Sequence, residues 1–383
     1  MTALADAIST PRHSVCAGSP AALLAVVPHL LGFIPQSSLV IVGTSLPGGQ
    51  VKVTMRYDLP DPADPELASD IASHATAVLA GQHLSTALAI GYGPGHLVTP
   101  LADALREAAD RTCITLQEVL RAEDGRYWSY SCTSTACCPA EGTAFDVTTH
   151  PASAALACGA TVLPDRDAVA AGIAPLADAA GPVLAATRRA EQYITQVHAK
   201  AGTATRLGTA RRMITTEALA AVSGIIKAYR DGGSYHTDYQ LAWLTVVLKD
   251  LRVRDDAWAR MDPRHNGAHT RLWTDLVRRA CPGYVAPAAS LLAFTAWQAG
   301  NGVLANVALD RALADDPDYS MAKLLRQVIS AGAPPSLARV PMTPEEVAGA
   351  YEDDDPDEPG TDDEGDEEEQ EEVTEKEPAQ SVS

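Results

Sequence analysis

A chain of 383 residues with 46% apolar side chains is long enough to bury two cores of ordinary size. The formal charge of −20 is concentrated at one end: residues 352–377 hold 17 acidic side chains and one lysine, leaving the remainder close to neutral. The seven cysteines are odd in number and widely spread, which excludes a small disulfide scaffold. The longest apolar stretch, residues 20–34, is broken by Pro28 and His29 and is too short to span a bilayer. The first residues lack the basic region and apolar core of an export signal, so the chain reads as soluble and unexported.

In chain order, Ser19 caps a helix that has Pro20 in its first turn and continues through AALLAVVPHLL. The β-rich runs SLVIVGT and QVKVTMRYDL then flank the turn Leu46–Gly49 as a hairpin. Asp64 caps the next helix, Pro65 is its first residue, and Leu67, Ile71, Val78 and Leu79 form its apolar stripe. STALAIGYG reads as a short buried strand, and GYGPGH leads from it into a helix carrying Leu101, Leu105 and Ala108. ITLQEVLRA and GRYWSYS make a second hairpin turning at Asp124-Gly125. Strand pairs alternating with helices predict an α/β or α+β domain with a mixed sheet over residues 1–160.

Beyond Pro164 the apolar period becomes helical, through 182–200, 211–230, 238–261, 269–280, 287–299, 303–315 and 318–331. This predicts an all-helical domain over 161–342. Ala286–Pro317 resembles a single tetratricopeptide repeat, with small residues at Ala293, Ala305 and Ala312 and Pro317 closing the unit. One such hairpin needs the preceding helices to pack on. From about Thr343 the acidic run cannot bury enough apolar surface to offset its ordering entropy, and residues 343–383 are expected to be a disordered tail.

Three stretches carry candidate chemistry. Cys132, Cys137 and Cys138 stand in the spacing C-x4-C-C-P, directly after a strand. The plain reading is a structural turn, and the chemical alternatives are a zinc site, with His150 or Cys113 as a fourth ligand, and a disulfide or redox pair. Against zinc, adjacent cysteines fit poorly on one tetrahedral ion and no second CxxC half follows. The other cysteines (Cys16, Cys113, Cys158, Cys281) read as buried reduced thiols. Strand alternation sends Trp128 and Tyr130 to one face and Tyr127 to the other, where sheet packing is the default.

The loop Gly91, Gly93, Gly95, His96 joins a strand to a helix, where backbone amides and the helix dipole can hold a phosphate or nucleotide. His96 replaces the third glycine of the dinucleotide fingerprint, and a tight connecting loop is the plain alternative. Between Arg188 and Arg230 lie eight basic residues, Arg188, Arg189, Arg211 and Arg212 among them, against Glu191 and Glu217. They suit solvated helix faces, nucleic-acid phosphates or docking of the acidic tail. No GxSxG, HExxH, Walker or paired-carboxylate pattern accompanies them.

Four segments together, residues 19–43, 126–146, 251–261 and 291–325, resemble the domain-of-unknown-function family numbered 4192. The resemblance implies an actinobacterial or phage source and a cytoplasmic setting, and it brings no activity, substrate or cofactor. A reducing cytosol disfavours a permanent disulfide among Cys132, Cys137 and Cys138. The leading expectation is a non-enzymatic protein-interaction or scaffold module with a protein partner and no membrane. The alternatives are a ligand-binding or enzymatic α/β domain with its site near Gly91–His96 and Cys132–Cys138, and a nucleic-acid-associated protein regulated by its tail.

Overall fold

The computed structural model describes residues 18–147, 150–156, 162–177, 180–235, 237–338 and 342–352. Helix α1 (Pro20–Leu31) begins where the Ser19 hydroxyl accepts the Ala22 amide and ends where Gly32 turns left-handed at φ 80°. Strands β1 (Ser38–Ser45) and β2 (Gln50–Asp58) form the expected antiparallel hairpin. Helix α2 (Pro65–Gly81) starts with the Asp64 carboxylate accepting the Glu66 and Leu67 amides. Strand β3 (Thr86–Tyr92) lies antiparallel to β1, helix α3 (Gly95–Arg111) crosses over, and β4 (Thr115–Glu123) returns parallel to β3. Strands β5 (Arg126–Ser129) and β6 (Thr143–Ala144) complete a six-stranded mixed sheet in the order β2-β1-β3-β4-β5-β6.

Alternation along the strands makes two apolar faces. Leu39, Ile41, Ala87, Ala89 and Val119 pack under α2 and α3, whereas Val40, Val42, Ile90 and Leu120 pack under α1. Gly91 sets how closely α3 lies on β3, since a Cβ there would fall 2.1 Å from the Val98 Cγ1. Leu67 departs from its expected place on the α2 stripe and is 44% exposed; the buried side of the helix is Ala68, Ile71, Ala72, Ala75, Val78 and Leu79, and Leu67 lies off that face.

The rest is helical: α4 (Pro151–Leu156), α5 (Arg166–Gly172), α6 (Ala180–Ala201), α7 (Ala204–Arg230), α8 (Asp238–Val247), α9 (Leu251–Ala259), α10 (Asn266–Arg279), α11 (Val285–Gln298), α12 (Gly302–Asp315), α13 (Ser320–Ser330) and α14 (Pro344–Glu352). The helix expected over 238–261 is two helices, because the Asp250 carboxylate accepts the Arg252 and Val253 amides and starts α9 afresh. Both pieces bury their apolar side in one cluster, which is why a single period runs through them. Helices α11 and α12 form a helical hairpin, turning at Gly300 with φ 78° and capped by Asn301. Every residue of Val285–Trp297 is buried, so α11 is an interior helix. The helical cluster meets the sheet at Val169 and Val303, which pack against both, and the Gln82 amide and the His74 Nε2 donate to the carbonyls of Gly332 and Ser330.

Order extends further than Thr343. Thr343 and Glu346 exchange a capping box, with the Glu346 carboxylate accepting the Thr343 amide at 2.7 Å and the Thr343 hydroxyl accepting the Glu346 amide at 3.2 Å. Val347 is buried in α14, and the Tyr351 hydroxyl donates to Asp255 at 2.7 Å. The disorder expected from Thr343 is therefore corrected for Pro344–Glu352, where a cap and an apolar anchor outweigh the acidic composition. The acidic run from 353 onward, Cys16 and Cys158 lie outside the described residues.

Candidate functional site

The cysteine loop grows out of the end of β5. Tyr130 makes the last sheet bond, its amide donating to the Val119 carbonyl at 2.8 Å. The Ser129 hydroxyl donates to the Glu118 carboxylate at 2.7 Å and accepts the amides of Ser131 and Cys132, which bends the chain away from the sheet. Helix α3 braces this stem: Thr99 shares a 2.7 Å hydrogen bond with the Tyr130 hydroxyl, and Arg106 donates to the Tyr130 carbonyl while lying over its ring. The expected alternation holds, with Tyr130 against the α2/α3 face and Tyr127 against the other, edge to face with Phe145.

On the return, the Cys138 amide donates to the Ser134 carbonyl at 2.9 Å and the Trp128 indole N–H to the Ala140 carbonyl at 2.9 Å. Gly142, at φ 79°, lets the chain lie on the indole, since a Cβ there would sit 2.5 Å from the ring. The Arg121 guanidinium lies 3.7 Å from the centre of the same ring and is held by Glu123 at 3.0 Å. Arg121 also fills the space beside Gly95, where a Cβ would meet its Nη1 at 2.8 Å. Arg121 thus stands between Gly95 at the start of α3 and Trp128, on which the return of the cysteine loop at Ala140 and Gly142 packs. No repeat or motif marks Arg121, Glu118 or Ser129 in the sequence; only the glycines at 95 and 142 hint that large groups approach there.

Within the loop the three sulfur atoms converge. The Sγ atoms of Cys132, Cys137 and Cys138 all lie within 4.8 Å of one another, and Cys132 and Cys137 are 3.1 Å apart. That separation is longer than a disulfide, so the pair is in the thiol form. Sulfurs around a tetrahedral zinc ion with 2.3 Å bonds stand about 3.8 Å apart, within the 4.8 Å span of the three but wider than the Cys132–Cys137 pair, which would have to open to take an ion. The Cys138–Ser134 hydrogen bond closes a turn here, and the sulfurs of the adjacent Cys137 and Cys138 come near each other. Hydrogen bonding to Cys132 holds the Cys137 thiol below its ordinary range, and the same neighbour is the main cause pushing Cys138 up to about 12. Of these two, Cys137 is the readier to ionise and Cys138 is the one whose ionisation a bound cation would have to favour.

Neither expected fourth ligand joins them; among the described residues the three cysteines are the whole group. The His150 Nδ1 accepts the Ala152 amide at the start of α4. Cys113 is an exposed thiol in a left-handed turn after α3, and Cys281 is half-buried beside Thr187, so neither is the fully buried thiol expected. In the loop Gly91–His96 each glycine answers to packing, Gly93 having φ 148° with Leu59 where its Cβ would be, and His96 is exposed at the start of α3. Arg188, Arg189, Arg211 and Arg212 are all exposed. The Tyr193 hydroxyl donates to Glu217 at 2.9 Å, tying α6 to α7 between the two arginine pairs.

A family model described as a domain of unknown function, DUF4192, matches residues 20–336. The chain belongs to the DUF4192 family. No curated protein and no solved structure matches it. The matched span of this DUF4192 chain takes in the sheet, the cysteine loop and the helices through α13, and stops before α14. No helix of the described residues is long and apolar enough to cross a membrane.

Proposed function

We propose that the DUF4192 chain binds one thiophilic divalent ion, zinc in the first instance, through Cys132, Cys137 and Cys138, and acts as a non-enzymatic module that presents this loop to a protein partner. The convergence of three thiols in a segment with no buried residue carries the reading. From Ser131 to Glu141 every side chain is exposed or half-buried, so apolar packing supplies little of the loop's order. Three thiolates on one ion would supply it, and the free energy of binding would be free energy of loop folding. No histidine or carboxylate belongs to the cluster among the described residues, so an ion there would have sulfur ligands from this chain alone. The exposed position of Cys137 leaves the fourth ligand position open to solvent or to a partner's side chain. The reading presupposes a reducing compartment such as the cytosol.

Cobalt titration of the reduced full-length chain tests it. A thiolate-to-cobalt charge-transfer absorption that saturates at one equivalent, is displaced by zinc and vanishes in Cys137→Ser and Cys138→Ser is the expected result. Absence of that absorption, or its survival in both variants, contradicts the assignment.

A further inference from the structure

A second site lies in the helical half, far in sequence from the cysteines. The segment before α6, the start of α6, the end of α10, the start of α11 and the end of α12 enclose a cavity of about 440 Å³, within the range of small-molecule sites. Its walls are mostly apolar, with Leu176, Val183, Leu184 and Val285 as the main side chains. Four charged groups also face it, and two of them are already committed. Asp315 accepts the amides of Gly283, Val285 and Ala286, which makes its carboxylate the cap of α11. Arg279 pairs with Asp275 and lies over the Tyr235 ring.

The other two, Arg278 and Arg311, have no carboxylate within ion-pair distance among the described residues. Both are half-buried, and the Nε of each is shielded from water without a hydrogen-bond partner. Among the described residues the only side-chain bond from Arg311 is a 3.3 Å donation to the Val277 carbonyl, and burial lowers its pKa from the usual arginine value, against the opposing pull of the Asp315 carboxylate. Asp315 offsets part of the Arg311 charge, but its carboxylate is taken up by three backbone amides and Arg278 has no such neighbour among the described residues, so the cavity keeps a surplus of half-buried positive charge that an anion would complete; guanidinium groups match carboxylate and phosphate oxygens.

We propose that this cavity binds a small amphipathic anion, its carboxylate or phosphate head held by Arg278 and Arg311 and its apolar body lying along Leu176, Val183, Leu184 and Val285. The site is independent of the cysteine loop. Calorimetric titration of the reduced full-length protein with octanoate, octyl phosphate and 1-octanol tests it. At least one of the anions is expected to bind one equivalent roughly tenfold or more tightly than the alcohol, and the tighter of the two names the head group. Arg278→Met and Arg311→Met are expected to remove this preference and leave 1-octanol unchanged. Leu184→Glu, at the exposed rim where it does not disturb the core, is expected to weaken anion binding by a similar factor and keeps the test decisive should an arginine variant fail to fold. Equal binding of all three probes, no binding of any, or an anion preference that survives Leu184→Glu and the folded arginine variants overturns the proposal.

Discussion

Helix α11 and the cysteine loop reach their geometry by opposite means. Along α11 every residue from Val285 to Trp297 is buried, and Phe294 packs edge to face with Trp258 and Trp297 at 5.3 and 6.2 Å between ring centres. From Ser131 to Glu141 no residue is buried, and the loop rests at its two ends on hydrogen bonds accepted by the Ser129 hydroxyl and donated by Trp128 and Arg126. Position in α11 is fixed by shape, so it tolerates no loss of volume and needs no ligand. The loop has three sulfurs where a core would have methyl groups. The difference assigns the two halves different weaknesses, and substitutions in one should be silent in the other.

The largest expected effect is in the core. Phe294→Ala should cost about 3–5 kcal/mol in urea unfolding, and whatever fraction of the protein stays folded should bind metal with unchanged affinity. If metal affinity falls with it, the two regions are one unit and the contrast fails. Next, Cys138→Ser should lower metal affinity by at least about a hundredfold, ~2.7 kcal/mol or more, enough to abolish the cobalt absorption at one equivalent, while leaving the unfolding midpoint of the metal-free protein in place.

A smaller effect concerns acid. His269 is buried, its Nε2 accepting the Asp262 amide at 3.2 Å, and burial draws its pKa down to about 4. The unfolded chain takes up this proton near pH 6.5 and the folded chain refuses it until about 4, so stability is complete above that window and is lost as pH falls through it. The loss is roughly 1–3 kcal/mol. His269→Gln should flatten this part of the stability profile in urea melts at pH 4.5 and 7, and an unaltered slope would assign the acid sensitivity to other groups. The smallest effect is at the edge of the helical half: Tyr351→Phe removes the bond to Asp255 and should cost about 1 kcal/mol or less. Increased protease cutting near α14, with no change at the cysteine loop, is its signature.

Much of the fold was legible because local chemistry and packing agree. Ser19-Pro20, Asp64-Pro65 and Asp124-Gly125 mark boundaries that the structure keeps, since each residue satisfies backbone groups or a φ value that its neighbours require. Where two signals competed, the weaker-looking one prevailed. The Thr343–Glu346 capping box sits at the threshold of an acidic run and was masked by its composition, and Asp250 divides a helical period that reads as continuous. The spacing of Cys132, Cys137 and Cys138 showed which sulfurs to consider. Their convergence depends on the Ser134–Cys138 turn, which spacing does not encode. Arg278 and Arg311 come from different helices, and only the packing of α10 and α12 on α11 brings them to one cavity.

The account turns on the claim that metal, and not burial, orders the cysteine loop. Hydrogen exchange of the backbone amides in residues 131–141, measured on the reduced protein with and without one equivalent of zinc, tests it most directly. Zinc should slow exchange there, at the Cys132 and Cys138 amides above all, with no change along α11. Equal protection with and without zinc, or none in either case, would contradict it.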